Sequence, residues 1–211
     1  MQRNRLHTVS LLALLASLLL STACEKDDDT RVPAYLTELV EANTGHDGNV
    51  TTLTLDNGQT YPVSKSIKAS VADTTYRCYA TYMLQDDEIT IYGLKHIFSA
   101  MPRRAELFKS RPSDPVKFIS CWRSSRYLNV KIGIMTTGNG THQFAFSEDS
   151  IVTNPQGQQN IYATLLHLRP ETDAESFTEE MFLSMPIYCY DNPDTIFITM
   201  PTYEGMVTAE R

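Results

Sequence analysis

Residues 127–135 read Tyr-Leu-Asn-Val-Lys-Ile-Gly-Ile-Met, and their alternation decides the fold class. Leu128, Val130, Ile132 and Ile134 fall on one side, with Tyr127, Asn129 and Lys131 on the other. That two-residue period is the mark of a strand with one apolar face. The stretch Thr136 to Thr141 is a turn rich in Gly and Asn, and His142 to Phe146 returns with His142, Phe144 and Phe146 on a shared face. Val116 to Trp122 and Ile161 to Leu168 read as further strands. Ile187 to Tyr190 and Thr195 to Pro201 close the chain around the turn Asp191-Asn192-Pro193-Asp194. Many short strands in succession predict a β-sandwich. One segment breaks the period. Thr172 and Glu175 have capping-box spacing, and Phe177, Met181, Phe182 and Met185 follow at helical intervals. These predict one short helix over Asp173 to Ser184.

Towards the N-terminus the strands continue. Val50 to Leu55 alternates, Asp56-Asn57-Gly58 is a hairpin turn, and Tyr61-Pro62-Val63 is a short return in which Pro62 marks an edge or a strand end. In Arg77 to Leu84, Cys78, Ala80, Tyr82 and Leu84 share a face, and after the polar turn Gln85-Asp86-Asp87-Glu88 the next strand runs from Ile89 to Phe98. About five short strands with little helix suit a small closed barrel. Pro102, Pro112 and Pro115 punctuate the middle of the chain, which predicts two small domains, 34–110 and 111–211.

The first residues carry an address. Arg3 and Arg5 precede an apolar run from Leu11 to Leu20, and small residues lead to Cys24. This is the pattern of a cleaved signal peptide over 1–23. Its apolar core, about ten residues, is too short to span a ~30 Å bilayer. Ser21-Thr22-Ala23-Cys24 resembles the bacterial lipoprotein cleavage box, with Ser21 where Leu is usual. That implies acylation of Cys24 and anchoring through several acyl chains, palmitate among them. The alternative is ordinary cleavage near Ala23 with Cys24 a free thiol. Residues 24–33 are then an acidic tether, and Lys26, Asp27, Asp28 and Asp29 resemble the export signal that sends Bacteroidetes lipoproteins to the cell surface. The expected location is the outer membrane, lipid-anchored and facing outward.

Without Arg3 and Arg5, 16 basic side chains face 25 acidic ones, a net charge near −9. A chain so acidic is a poor partner for nucleic acid, whose phosphates need a basic surface. The expected partners are the membrane, through the lipid, and a protein or a glycan. Cys78, Cys121 and Cys189 have no metal-ligand spacing and are expected to be buried and apolar in character, with one disulfide among them as the alternative. The chain has no Gly-x-Ser-x-Gly, phosphate loop, His-Glu-x-x-His or Cys-x-x-Cys, so no catalytic residue, metal ligand or cofactor is assigned. His142 and His167 fall in one predicted domain and either hold structural partners or, with a carboxylate, a metal. Trp122, Arg123, Arg126 and Tyr127 form the best ligand patch, where an aromatic beside two arginines stacks on a sugar or holds an acidic group. The competing role for Trp122 is to plug the sandwich core. Thr74, Ser150 and Thr195, each after an Asp, resemble O-glycosylation sites of exported Bacteroidetes proteins.

The lipoprotein start, Asp56-Asn57-Gly58-Gln59, Asp114-Pro115-Val116, Trp122, Tyr127-Leu128-Asn129-Val130, His142-Gln143-Phe144 and Leu165-Leu166-His167-Leu168 together resemble the NigD-like lipoproteins of Bacteroidetes. The resemblance implies an all-β chain, an OB-type barrel followed by a β-sandwich. It implies little about activity beyond a role in bacteriocin immunity, and the family defines no catalytic residues. Three functions remain in view: a non-enzymatic binding module, an envelope immunity lipoprotein, and a hydrolase with an unrecognised site.

Overall fold

The structure, a computed structural model, describes residues 34–211 apart from residues 70 and 192. The leader, Cys24 and the run Lys26, Asp27, Asp28 and Asp29 lie outside the described residues.

Five strands, β1 (Leu36–Thr44), β2 (Val50–Leu55), β3 (Thr60–Lys65), β4 (Thr75–Gln85) and β5 (Glu88–His96), close in the order β1-β2-β3-β5-β4. The closure joins β3 and β5 in parallel and β1 to β4 in antiparallel, the order of an OB-type barrel. Alternation fills its interior: Val40 and Ala42, Leu53 and Leu55, Cys78, Ala80 and Tyr82, Ile89 and Ile91 all point inward. Tyr82 is wholly buried, and its hydroxyl donates to Glu38. The turns expected at Asp56-Asn57-Gly58 and Gln85–Glu88 are present. Asp86 and Asp87 take φ of 51° and 60°, the left-handed pair that a two-residue hairpin turn requires.

The remaining strands form two sheets. β6 (Phe98–Ser99), β8 (Lys117–Arg123), β9 (Tyr127–Thr136) and β12 (Phe177–Pro186) make a four-stranded sheet in the order β6-β12-β9-β8. β7 (Arg103–Arg104), β10 (Gln143–Thr153), β11 (Gln159–Leu168), β13 (Pro193–Thr202) and β14 (Gly205–Glu210) make the other, ordered β14-β13-β11-β10-β7. Leu128, Val130, Ile132 and Ile134 of β9 enter one core with Phe146, Ile161, Leu165, Leu183, Met185, Ile196 and Ile198. The barrel's last strand ends at His96, and β6 and β7 already pair with β12 and β10. The change from barrel to sandwich therefore falls at Ile97, ahead of the proline-rich segment.

The helix expected over Asp173 to Ser184 is absent. Residues 177–186 are a strand that pairs with β9 along its whole length, Phe177 with Thr136 through Pro186 with Tyr127. The only helix among the described residues is one 3-10 turn, Ala105–Leu107. The error has a physical cause. The second half of β12 is covered on both sides: Leu183 and Met185 face the core, while Phe182 and Ser184 face the barrel; residues 177–180 are exposed. In that second half Met181, Phe182 and Leu183 are apolar in succession, which breaks the two-residue period, and with Phe177 and Met185 they match helical spacing. Glu175 does not cap anything; it pairs with Arg169 at 2.7 Å.

The barrel packs on the outward face of the four-stranded sheet around one buried cation. Arg77 of β4 has a side chain 1% exposed. It pairs with Asp56 at 2.6 Å and donates to Asn129 Oδ1 (3.2 Å) and Ser184 Oγ (3.3 Å). Its guanidinium also lies 4.1 Å from the centre of the Tyr127 ring. Asn129 in turn donates to Asp56, and Ser184 to Asn129. Breaking a buried pair by removing one partner typically costs about 3–5 kcal/mol, because the other charge is left uncompensated. Arg77→Met is expected to lose about that much in urea denaturation, and adding Asp56→Asn to it is expected to restore about 1 kcal/mol or more. A double variant no more stable than Arg77→Met would remove the charge pair as the cause.

Candidate functional site

A groove follows the line where barrel and sandwich meet. One recess, about 420 Å³, is lined by Tyr76, Arg77, His96, Met101, Arg126 and Tyr188 among others. A second, about 390 Å³, shares His96 with it and is lined by Tyr79, Lys95, Phe98, Lys131, Glu179 and Phe182 among others. Strand β4 supplies Arg77 and Tyr79 from its outward side and Tyr76 from the side packed on the barrel core, and the turn between β8 and β9 supplies Arg126. Beyond Pro186 the chain leaves β12 in a tight turn, with the Tyr190 amide donating to the Ile187 carbonyl. That turn replaces the strand expected over Ile187 to Tyr190 and pushes Tyr188 outward, 52% exposed.

The chemistry of the first recess is set by one carboxylate. Glu41 Oε1 accepts from the Tyr127 hydroxyl at 2.6 Å and from Arg126 Nε at 3.1 Å. The Arg126 guanidinium lies 4.6 Å from the centre of the Tyr188 ring. Burial, and then the bond to Glu41, push the Tyr127 phenol well above its ordinary value, so it acts as a fixed donor. Burial raises the Tyr76 phenol as well. What remains for a ligand is a flat aromatic face, a guanidinium with donors to spare and several hydroxyls. This arrangement suits stacking and acceptor recognition more than proton transfer, because Glu41 is already committed.

The expected ligand patch divides. Arg126 and Tyr127 line the groove. Trp122 is half-buried and meets Phe182 edge-on at 6.1 Å, on the barrel-facing side of its sheet; it is not in the sandwich core. Arg123 is spent elsewhere, donating to the carbonyls of Pro193 and Asp194 at 2.8 Å and fastening the start of β13. The physical reason is alternation: neighbours on β8 point to opposite sides. Of the other marked positions, Ser150 is exposed on β10, whereas Thr74 and Thr195 are half-buried. Arg77, Glu41, His96 and Tyr188 carried no local signal, since their partners come from distant strands.

No protein-family profile matches the chain, and no curated protein is similar to it. Solved structures are. A NigD-like immunity protein from Bacteroides caccae is 26% identical, with a TM-score of 0.65 over 85% of this chain and 92% of its own. The chain is NigD-like. A proposed lipoprotein of Bacteroides fragilis (13% identity, TM-score 0.59, 85% of this chain and 97% of its own) shares the fold. So does a protein of unknown function from Bacteroides vulgatus (12%, 0.63, 84% and 90%).

The NigD-like chain brings His142 and His167 together. His142 Nδ1 lies 2.8 Å from His167 Nε2, His142 Nε2 lies 2.7 Å from Asp173 Oδ2, and His167 Nδ1 lies 3.0 Å from the Asp114 carbonyl. All four ring nitrogens are thereby occupied, and none faces open space where a metal could approach. Asp173 was read as the start of a helix. It is instead buried, with Oδ1 accepting from the Thr137 amide and hydroxyl at 2.7 and 2.6 Å.

The three described cysteines are free. Cys78 and Cys121 are buried as expected, and burial pushes their thiols up to about 12 and about 11. Cys189 departs from the expectation: the turn that projects Tyr188 exposes it too. Thiolate is the reactive form, so exposure and pKa decide labelling. In the folded chain an alkylating reagent is expected to modify Cys189 and spare Cys78 and Cys121, with all three reacting after denaturation. Mass spectrometry of the digested product reads this directly; labelling of Cys78 at the Cys189 rate would contradict the buried placement.

Proposed function

We propose that the protein is a non-enzymatic lipoprotein of the outer membrane, anchored through acylated Cys24 and facing outward. In this reading it is a binding module that holds a glycan or protein partner in the groove between barrel and sandwich. The observation that carries it is the pairing of half-exposed Tyr188 with Arg126 beside Tyr76 and His96 in a recess of about 420 Å³. Aromatic faces with adjacent donors are what sugar rings and acidic side chains require. Glu41, committed to Tyr127 and Arg126, is a poor general base, which favours binding over hydrolysis. The run Lys26-Asp27-Asp28-Asp29 after Cys24 supports export to the surface.

Envelope immunity is the second reading, favoured by the 26% identity to a protein described as a NigD-like immunity protein. The groove serves either role, with a bacteriocin as the protein partner in the second. Deletion that sensitises cells to a sibling's toxin would select immunity.

Two tests address the proposal. Protease applied to intact cells is expected to remove the chain while sparing a periplasmic control, and Cys24→Ala is expected to move it from the membrane to the soluble fraction. Protection from protease would turn the search to periplasmic partners. For the groove, the acylated chain in detergent is screened against purified surface polysaccharides and sibling bacteriocins. Arg126→Ala and Tyr188→Ala are each expected to weaken capture about ten-fold or more, as centrally placed Tyr and Arg contacts do. Both side chains are exposed, so unfolding is expected to shift by about 1 kcal/mol or less. Unchanged capture by both variants would remove the groove as the site.

A further inference from the structure

Asp173, His142, His167 and the Asp114 carbonyl form an unbroken row of three hydrogen bonds. Its ends are both acceptors: an ionised carboxylate has no proton to give, and neither does a backbone carbonyl. Three bonds between two acceptor ends need three N–H groups on the two rings. Two neutral imidazoles supply two. We propose that His142 and His167 together bind one excess proton, and that this proton is the clasp that closes one end of the sandwich.

Proton bookkeeping assigns the positions. His142 Nε2–H points to Asp173, His167 Nδ1–H points to the Asp114 carbonyl, and the third proton lies between His142 Nδ1 and His167 Nε2 at 2.8 Å. A fourth proton would set two N–H groups head to head across that gap. Charge favours the same count. The hydroxyls of Thr136 and Thr137 and the Thr137 amide hold the Asp173 carboxyl well below the usual carboxylate range, so its charge balances the cation. Burial pushes His167 below the ordinary imidazole value, which leaves the extra proton on the His142 side, against Asp173. Of the other groups around the pair, Asp114 and Arg169 carry charge and act on His167 in opposite directions. Phe144 stacks on His167 at 4.8 Å, Asp114 Oδ2 accepts from the Arg169 amide at 2.7 Å, and the Arg169 guanidinium pairs with Glu175.

The row ties five segments drawn from both sheets. They are the residues before β8 (Asp114), the turn after β9 (Thr137), the entry to β10 (His142), the end of β11 (His167) and the loop before β12 (Asp173). β10 and β11 already pair at Phe144 and His167, and Ser113 bridges to His167, so what the row adds is the side-chain link from these to the turn after β9 and the loop before β12. Its stability has two limbs. All three bonds form only while the pair holds the excess proton, so the stability that this proton contributes is lost as pH rises past the point where the pair releases it. The pair refuses a second proton that the unfolded chain accepts near ~6.5, so stability also falls as pH drops below that point. The clasp is therefore tightest in a band around neutrality and loosens on both sides.

The experiment is long-range ¹H–¹⁵N correlation on the chain with ¹⁵N-labelled histidine, with His142→Gln and His167→Gln to assign the rings. Near neutral pH one imidazolium pattern is expected, lost in His142→Gln, beside a His167 ring in its Nδ1–H tautomer. Two neutral rings at that pH would overturn the proposal. Amide exchange of Thr137 is the second readout. Its protection, corrected for intrinsic chemistry, is expected to fall about ten-fold on going from neutral pH to about pH 9, as for a local opening. A flat profile would overturn it as well. Asp173→Asn removes the balancing charge and is expected to abolish the imidazolium pattern at neutral pH; should that variant not fold, the unmutated chain's spectrum decides alone.

Discussion

The position of the barrel on the sandwich is set around one guanidinium whose side chain is almost wholly buried. The outward faces of β9 and β12 present Asn129 and Ser184, both fully buried. Polar groups at such depth are costly unless bonded, and the barrel could cover them only by bringing a partner. Arg77 is that partner, and its planar fork reaches Asp56, Asn129 and Ser184 at once. An apolar seam of equal area would hold as well or better, since desolvating an ion pair offsets much of its attraction. The network differs in being directional: a barrel shifted along the sheet by one residue would strand a buried cation. The groove lies along the same seam, with Arg77 and Tyr127 in its wall. Its shape is therefore fixed by the same contact that fixes the seam.

Most of the strands were legible because apolar positions alternate with polar or small ones, which holds in β9 although both of its faces are buried. β9 is the clearest case, with Leu128, Val130, Ile132 and Ile134 spaced for one core. β12 was not, because Met181, Phe182 and Leu183 are apolar in succession where its second half lies between the barrel and the sandwich core. Phe177, Met181, Phe182 and Met185 then match a helix by coincidence of spacing. The exposed turn at Tyr188 and Cys189 was missed for a related reason: Ile187 to Tyr190 is apolar in composition, and only the turn after Pro186 says which side chains leave the core. The OB type of the barrel came with the NigD-like resemblance, while the order β1-β2-β3-β5-β4 was not legible, because periodicity gives strands without their pairing.

The site was half legible. Arg126 and Tyr127 were marked because aromatic and Arg side chains stand together in sequence, and that adjacency survives folding at the β8–β9 turn. Arg123 stood in the same cluster and serves a different end of the molecule. Glu41, Arg77 and Tyr188 belong to the recess through contacts 50 to 86 positions apart in sequence, which no local pattern encodes. His142 and His167 were paired correctly as neighbours, yet the residue that gives the pair its character, Asp173, was hidden inside a misread helix.

The two buried polar networks divide the effect of pH between them. A guanidinium keeps its proton throughout the range a cell or its surroundings reach, so the Arg77 cation is constant. An imidazole pair changes charge near neutrality. The networks share no residue and sit at opposite ends of β9, the first at Tyr127 and Asn129, the second at Thr136 and Thr137. Nine residue steps at about 3.3 Å separate those ends by roughly 30 Å, beyond the reach of screened charge at physiological salt. Loss of the shared proton therefore loosens the turn after β9 and the loop before β12 without altering the seam cation, and the groove keeps its wall while the far end of the sandwich opens.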